Sequence, residues 1–573
     1  MAGVLKMKKL NALPILIAAL FGAASPALSF TGVGNRGGDF WLALPGIYVA
    51  GTMNWSVALS SGSNASGQVS VPGLGFSTGF SVTAGNVSLV PLPLAAMDSL
   101  SDAVTTLGVH VTANQDIAVY AFETQNRGSE SYLGLSTGSL GTQYMVLSFP
   151  ADLSASKSEF TIVGTQNGTA VTITPSQTVG SRAAGVPYPI VLNQGDVYQL
   201  QDGNSGDDLT GTSITSSLPI GVWGVNACAD VPVSNLYCNP LVEQLWPIPY
   251  WGTAFVASPT AARLNGDRIR FLASANGTNV SVNGAPVAAL NQGQVFETVL
   301  TAPSYITSNN PIYTAQYTNS SSIDYPTPSP TPAPGDPMMA SLVPVNYFDN
   351  DYVFAAPGTI FPANYANVYV PTASLGLVLL DGAAIPAGQF TAIGASGYWG
   401  TAVTLVSGPH HLSGPQAFGA MLYGFAIADA YGNPGGLMFA TATPTPTLTP
   451  CGYPGPLCTP TFTVTPTFTF TPTLTPTPSP TLTPTCVPHA WPDPFNPNFA
   501  FKGYFKVDCL PPGVTVTFYT LSGERVAALG VSGGRVEWDG RNEKGILVVP
   551  GIYFYVIQEG DRVSGRGKFL VNH

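Results

Sequence analysis

The chain has 573 residues, of which 45% are hydrophobic and only 9% charged, with 63 glycines, 52 prolines and a formal net charge of −11. That acidic balance excludes nucleic acid and anionic lipid as natural partners, because phosphate is held by clustered Lys and Arg. Scarce charge beside abundant Gly and Pro excludes long salt-bridged surface helices and predicts an all-β chain of several domains.

Lys6, Lys8 and Lys9 precede a run from Leu10 to Ala24 that is apolar or small apart from Asn11 and Pro14, and Ala27-Leu28-Ser29 follows. This is the pattern of a secretory signal peptide over residues 1–29. Its apolar core of about 15 residues is short of the roughly 20 that span a bilayer, and no later run is long enough. Loss of the three leader lysines takes the mature charge to −14. The expected location is extracellular or the outer cell surface.

Residues 30–440 repeat a pattern. Gly108-Val-His-Val-Thr-Ala-Asn-Gln-Asp116-Ile117 aligns with Thr212-Ser-Ile-Thr-Ser-Ser-Leu-Pro219-Ile220 and with Ser304-Tyr-Ile-Thr-Ser-Asn-Asn-Pro311-Ile312; a looser copy runs from His410 through Pro415 to Phe418. Leu140 to Pro150 resembles Tyr250 to Pro259 and Asn350 to Pro357, and Asn167-Gly-Thr-Ala-Val171 matches Asn276-Gly-Thr-Asn-Val280. Alternating strands joined by Asn-Gly turns, repeating at about 90 to 105 residues, predict about four repeated β-sandwich-like units, with soft boundaries near residues 135, 240 and 340. Pro326 to Pro334 reads as an inserted loop.

Residues 441–487 are written almost wholly in Thr-Pro units, the signature of an extended polyproline-II spacer. Residues 488–573 alternate again, as at Val514, Val516 and Phe518, which fits strands with one buried sheet face in a small C-terminal β-domain. Six cysteines in an exported chain predict disulfides, with the nearest neighbours as candidate pairs: Cys228 with Cys238, Cys451 with Cys458, and Cys486 with Cys509. Spacing alone leaves other connectivities open.

The ordered series Gly37-Gly-Asp-Phe-Trp41, Asp208-Leu-Thr-Gly211, Cys228, Cys238, Glu243-Gln244, Gly335-Asp-Pro337, Leu380-Asp381-Gly382, Gly408-Pro-His-His411 and Tyr423-Gly424 resembles the N-terminal domain of the IgG Fc-binding protein family across residues 36–437. That resemblance implies a secreted, adhesive β-rich module with no catalytic residues to carry over. Met338 follows Gly335-Asp336-Pro337 where the family's self-cleaving motif has His, so self-cleavage is not implied. Trp491-Pro-Asp-Pro-Phe-Asn-Pro497, Trp538-Asp539-Gly540 and Gly551-Ile-Tyr553 are similar to the FlgD-like immunoglobulin fold and type IX secretion sorting domains, which implies sorting or attachment by export machinery.

Candidate chemistry is sparse. Asp202, Asn204, Asp207 and Asp208 form the densest oxygen cluster and a weak calcium candidate, without the distant bidentate Glu of a full loop. No other cofactor is expected. His410 and His411 are neighbours on an extended chain and point to opposite faces, unlike a helical zinc pair. Asp39, Glu123, Glu159, Glu243 and Glu297 are the carboxylates available for glycoside hydrolysis, with no spacing that makes two converge. Trp55, Trp223, Trp251 and Trp399 are aromatic residues for sugar stacking or for the core. The expected function is a non-catalytic surface protein binding a glycoprotein or polymer; the alternatives are an extracellular polysaccharide-degrading enzyme and a structural surface-layer component.

Overall fold

The computed structural model describes residues 34–48, 52–152, 156–235, 237–324, 334–358 and 360–439, and, nearer the C-terminus, 489–491, 504–508, 510–511, 513–521, 523–532, 534–559 and 562–571. The predicted signal peptide, the Thr-Pro run, most of the Pro326–Pro334 loop and Cys451, Cys458, Cys486 and Cys509 lie outside the described residues. Two compact units divide the chain, residues 1–448 and 449–573.

The larger unit is all-β, and one strand plan recurs four times. In the second copy Gly141–Met145 pairs with the front of a long strand, Ser213–Ala229, whose other front neighbour is Thr169–Thr174, itself paired with Tyr188–Leu192. The rear of the same long strand pairs with Ser158–Gly164 and Asn239–Gln244, and Val197–Asp202 lies beyond Ser158–Gly164. The long strand thus serves both sheets of its sandwich. Val109–Thr124, Ser304–Tyr317 and Gly408–Ala426 do the same in the other copies.

The crossing point explains the sequence repeat. Between Gly37 and Asp39 on the first strand the partners jump from Ile117 to Thr112; the same jump occurs between Ile220 and Thr215, Ile312 and Thr307, and Phe418 and Ser413. In every copy the long strand carries extra residues exactly where it changes sheet, and Pro219, Pro311 and Pro415 sit in these stretches, where a missing N–H breaks no ladder bond. Burial changes there too. The front of Val109–Thr124 alternates buried and part-exposed, whereas Ile117 to Glu123 is buried throughout, as expected of a strand covered on both faces.

A second repeated device joins turns. Asn64, Asn167 and Asn276 each accept through Oδ1 an N–H from a neighbouring turn, at Ala84, Gln194 and Gln292, over 2.9 to 3.0 Å. Gly168 and Gly277 follow two of these asparagines with φ of +72° and +70°, the left-handed geometry that makes Asn-Gly the turn pair.

The last strands of the four sandwiches, Glu130–Leu133, Asn239–Gln244, Met339–Ser341 and Asp429–Pro434, meet one another in a closed cycle. Polar side chains hold the cycle. Glu130 accepts N–H bonds from Ser131, from Met339 of the third sandwich and from Gly432 of the fourth, at 2.9 to 3.0 Å. Glu243 accepts from Ser341 N at 3.1 Å, and Asn239 donates to the carbonyls of Ser129 and Pro337, both at 2.8 Å. Asp429 accepts from Ser129 N and Oγ. One apolar core runs from Ala58 to Phe439 across all four sandwiches, with Tyr144, Phe149, Tyr317 and Tyr431 among its large buried rings.

The smaller unit stacks two sheets, one ordered His489–Trp491, Phe505–Asp508, Arg535–Trp538 and the other Arg525–Gly530, Thr515–Thr520, Gly551–Glu559, Arg562–Val571. Val514, Val516 and Phe518 are buried as their alternation predicts, and Phe518 stacks on Trp538 at 4.6 Å. The expected all-β class, with repeated sandwiches and a small C-terminal one, is what the chain adopts.

Candidate binding cleft

Where the fourth sandwich closes on the first, the two leave a cleft of about 540 Å³, within the usual range of ligand pockets. Its walls come from segments about 300 residues apart in sequence: Arg36, the Ser60 to Ser63 turn and Asp116 from the first sandwich, Asp349 to Val353 and Leu437 to Phe439 from the fourth. The Arg36 guanidinium pairs with the buried Asp349 carboxylate and donates to the Asp351 carbonyl at 3.3 Å. Ser60 Oγ donates to the Val353 carbonyl, and Tyr120 Oη donates to the Gly435 carbonyl at 2.6 Å. Burial pushes the Tyr120 phenol up, so it remains a donor. These bonds make the floor a fixed part of the fold.

The mouth has different chemistry. Asp116 is exposed, and Asp351 is held by His411 Nε2 at 2.9 Å while remaining part-exposed. Asp116 and Asp351 bring carboxylates to the mouth, above the Arg36–Asp349 pair of the floor, while Ala118, Val353, Leu437 and Met438 line apolar wall. An acceptor-rich mouth over apolar wall suits donor-bearing ligands, such as sugar hydroxyls or basic side chains. None of these residues was singled out from sequence. One signal was present: Asp116 occupies the position at which the second and third copies carry Pro219 and Pro311.

The residues that sequence did single out lie elsewhere. Asp202 accepts from the Asn204 backbone and amide, Asn204 also donates to Asp207 at 3.2 Å, and Asp208 pairs with Arg270 at 2.6 Å. Among the described residues no three His, Cys, Asp or Glu side chains are gathered as metal ligands. Glu159 is buried against Gln201 and pushed up to about 8 by burial; burial also holds Glu123 and Glu243 well above the carboxylate range. Glu243 serves the central cycle, and Glu297 pairs with Arg268 at 2.5 Å. Asp39 meets His110 at 2.7 Å, and the imidazole stacks on Trp41 at 4.0 Å. His410 is buried between Asp381 and the Val406 carbonyl, while His411 is half-exposed beside Asp351, so the pair does diverge.

Three of the four tryptophans belong to the core. Trp55, Trp223 and Trp251 are buried and offer no face to a sugar; only Trp399 of the four is part-exposed. Of the cysteines, Cys228 and Cys238 form the expected disulfide, with Cα atoms 5.1 Å apart, and it closes the excursion between the second long strand and its last strand. Asp230, inside that excursion, is pushed up to about 7 by burial and by the Asp152 carboxylate.

Comparison with known proteins gives three findings. The family model described as IgGFc binding protein matches residues 130–424. The human (Homo sapiens) IgGFc-binding protein is 30% identical over 210 residues, which is 35% of this chain and 4% of that protein. The chain thus spans a small part of that relative's length. A solved structure of E. coli alpha-2-macroglobulin in its native conformation aligns over 94% of this chain and 40% of its own at 10% identity, but a TM-score of 0.13 carries no inference about fold.

Proposed function

Because the chain belongs to the IgGFc-binding protein family, with more than half its length matched, we propose that it is an exported, non-catalytic protein whose four joined sandwiches bind a protein or glycoprotein ligand outside the cell. The observation that carries this reading is the family match over residues 130–424, which takes in three of the four strands of the central cycle. Ligand contact is assigned to the cleft between the first and fourth sandwiches, because the fold holds it rigid and its mouth presents acceptors. Among the described residues no helix is long and apolar enough to cross a membrane. The leader supports export, and the Thr-Pro run followed by a second small sandwich supports delivery to, or attachment at, a bacterial outer surface through export machinery.

The full chain and its Asp116→Asn/Asp351→Asn variant, tested against immobilised glycoproteins, their deglycosylated forms and immunoglobulin G, decide the matter. Binding to at least one, weakened several-fold in the variant, is expected. Release of reducing sugar from any of them by the wild-type chain overturns the non-catalytic reading. Cell fractionation of the full chain beside a version ending at Thr485 tests the attachment role; equal surface retention refutes it.

A further inference from the structure

The outer face of the four-stranded sheet in the smaller unit departs from the pattern of a solvated sheet. Tyr553 and Ile557 point into the core, so the alternate residues Ile552, Phe554 and Val556 lie on the opposite face. Register extends this face sideways: Ile552 opposes Leu570, Phe554 opposes both Tyr519 and Lys568, and Val556 opposes Arg566. Leu521 is 72% exposed, Ile552 46% and Leu570 44%. Polar side chains would be expected at such positions on a sheet that faced water alone. A groove of about 550 Å³ runs across the face, lined by Tyr519, Leu521, Phe554, Val556, Arg566 and Lys568.

Among the described residues, the charges in register on this face are of one sign. Arg566 and Lys568 are exposed and have no acidic partner among the described residues, although Arg525 and Arg535 each have one. None of the described residues in register on the face is a carboxylate.

We infer that this sheet face is a docking surface for a protein that presents carboxylates next to exposed apolar side chains. Two cations with no acidic partner among the described residues select an acidic protein by charge complementarity. Other polyanions fit less well. A lipid surface is held by about 4–8 clustered basic residues, and the face has two. A sugar polymer would stack on Tyr519 and Phe554 but gains nothing from the aliphatic Leu521, Ile552 and Leu570, which make up much of the exposed apolar face. The surface is separate from the cleft, and the inference stands whether or not the cleft binds a ligand.

The test uses the full chain and defined probes: a fluorescein-labelled decapeptide alternating Glu and Leu, its Gln/Leu analogue, phosphatidylglycerol vesicles and polygalacturonate. By fluorescence polarisation in low salt, the Glu peptide is expected to bind at least tenfold more tightly than the Gln peptide. Arg566→Glu/Lys568→Glu is expected to remove that preference, and Ile552→Ser/Phe554→Ser to weaken both peptides, each variant being read at a temperature where circular dichroism shows it folded. Equal binding of the two peptides by the wild-type chain overturns the inference without reference to any variant. Retention of the Glu-peptide preference in the charge-reversed variant also overturns it, as does tighter binding to vesicles or polygalacturonate that the same substitutions abolish.

Discussion

Glu130→Ala is the sharpest perturbation of the architecture. The Glu130 carboxyl is buried and accepts N–H bonds from Met339 of the third sandwich and Gly432 of the fourth, both at 3.0 Å, besides the local bond from Ser131. Truncation leaves two long-range N–H groups buried and unpaired, each costing about 1–3 kcal/mol, so a loss of about 4 kcal/mol is expected. Unfolding entropy near 2.1 cal/mol/K per residue over roughly 400 residues converts this to a fall in Tm of about 5 °C. Urea denaturation followed by tryptophan fluorescence reads the change, since Trp55 and Trp223 are buried near the first strands of the cycle. Asn86→Ala, at the exposed start of the strand Asn86–Leu92, is the control and should stay within about 0.5 kcal/mol of wild type. If Glu130→Ala also lies within 0.5 kcal/mol, the polar cycle does not hold the four sandwiches together and the argument for a rigid cleft fails with it.

Three further outcomes follow from particular contacts. Replacing Cys228 and Cys238 by Ser opens a loop with a sequence separation of 10, and chain entropy predicts a loss of about 2.5 kcal/mol, measurable by the same denaturation against the oxidised parent. Arg36→Ala strands the buried Asp349 carboxylate at the seam and should cost about 2 kcal/mol, whereas the double variant Arg36→Ala/Asp349→Ala should recover part of that loss; additive costs would show that the pair is not coupled. Glu159 holds its proton more tightly folded than unfolded, so its contribution to stability is full below its unfolded pKa near 4.5 and is lost as pH rises through about 8. Glu159→Gln should therefore flatten the decline in stability between about pH 4.5 and 8, and an unchanged profile would show that this buried carboxyl is already ionised at the low end of that window.

Local chemistry determined much of this protein. Alternation in Val514, Val516 and Phe518, the Asn167-Gly168 and Asn276-Gly277 turns, and the Pro219 and Pro311 breaks each act within a few residues, so class, repetition and family were all legible from the chain. The Cys228–Cys238 bridge was legible for the same reason, since its ends are close in sequence. What tertiary structure alone decided is where copies meet. Glu123, Glu159 and Glu243 read only as carboxylates free for chemistry, and Trp55, Trp223 and Trp251 stood open between ring platform and core; the packed fold buries all six. The cleft joins Arg36 to Asp349 across 313 positions, and no periodicity within one copy encodes its contact with another. Such contacts depend on the twist and closure of four sandwiches together, which no short window of sequence contains.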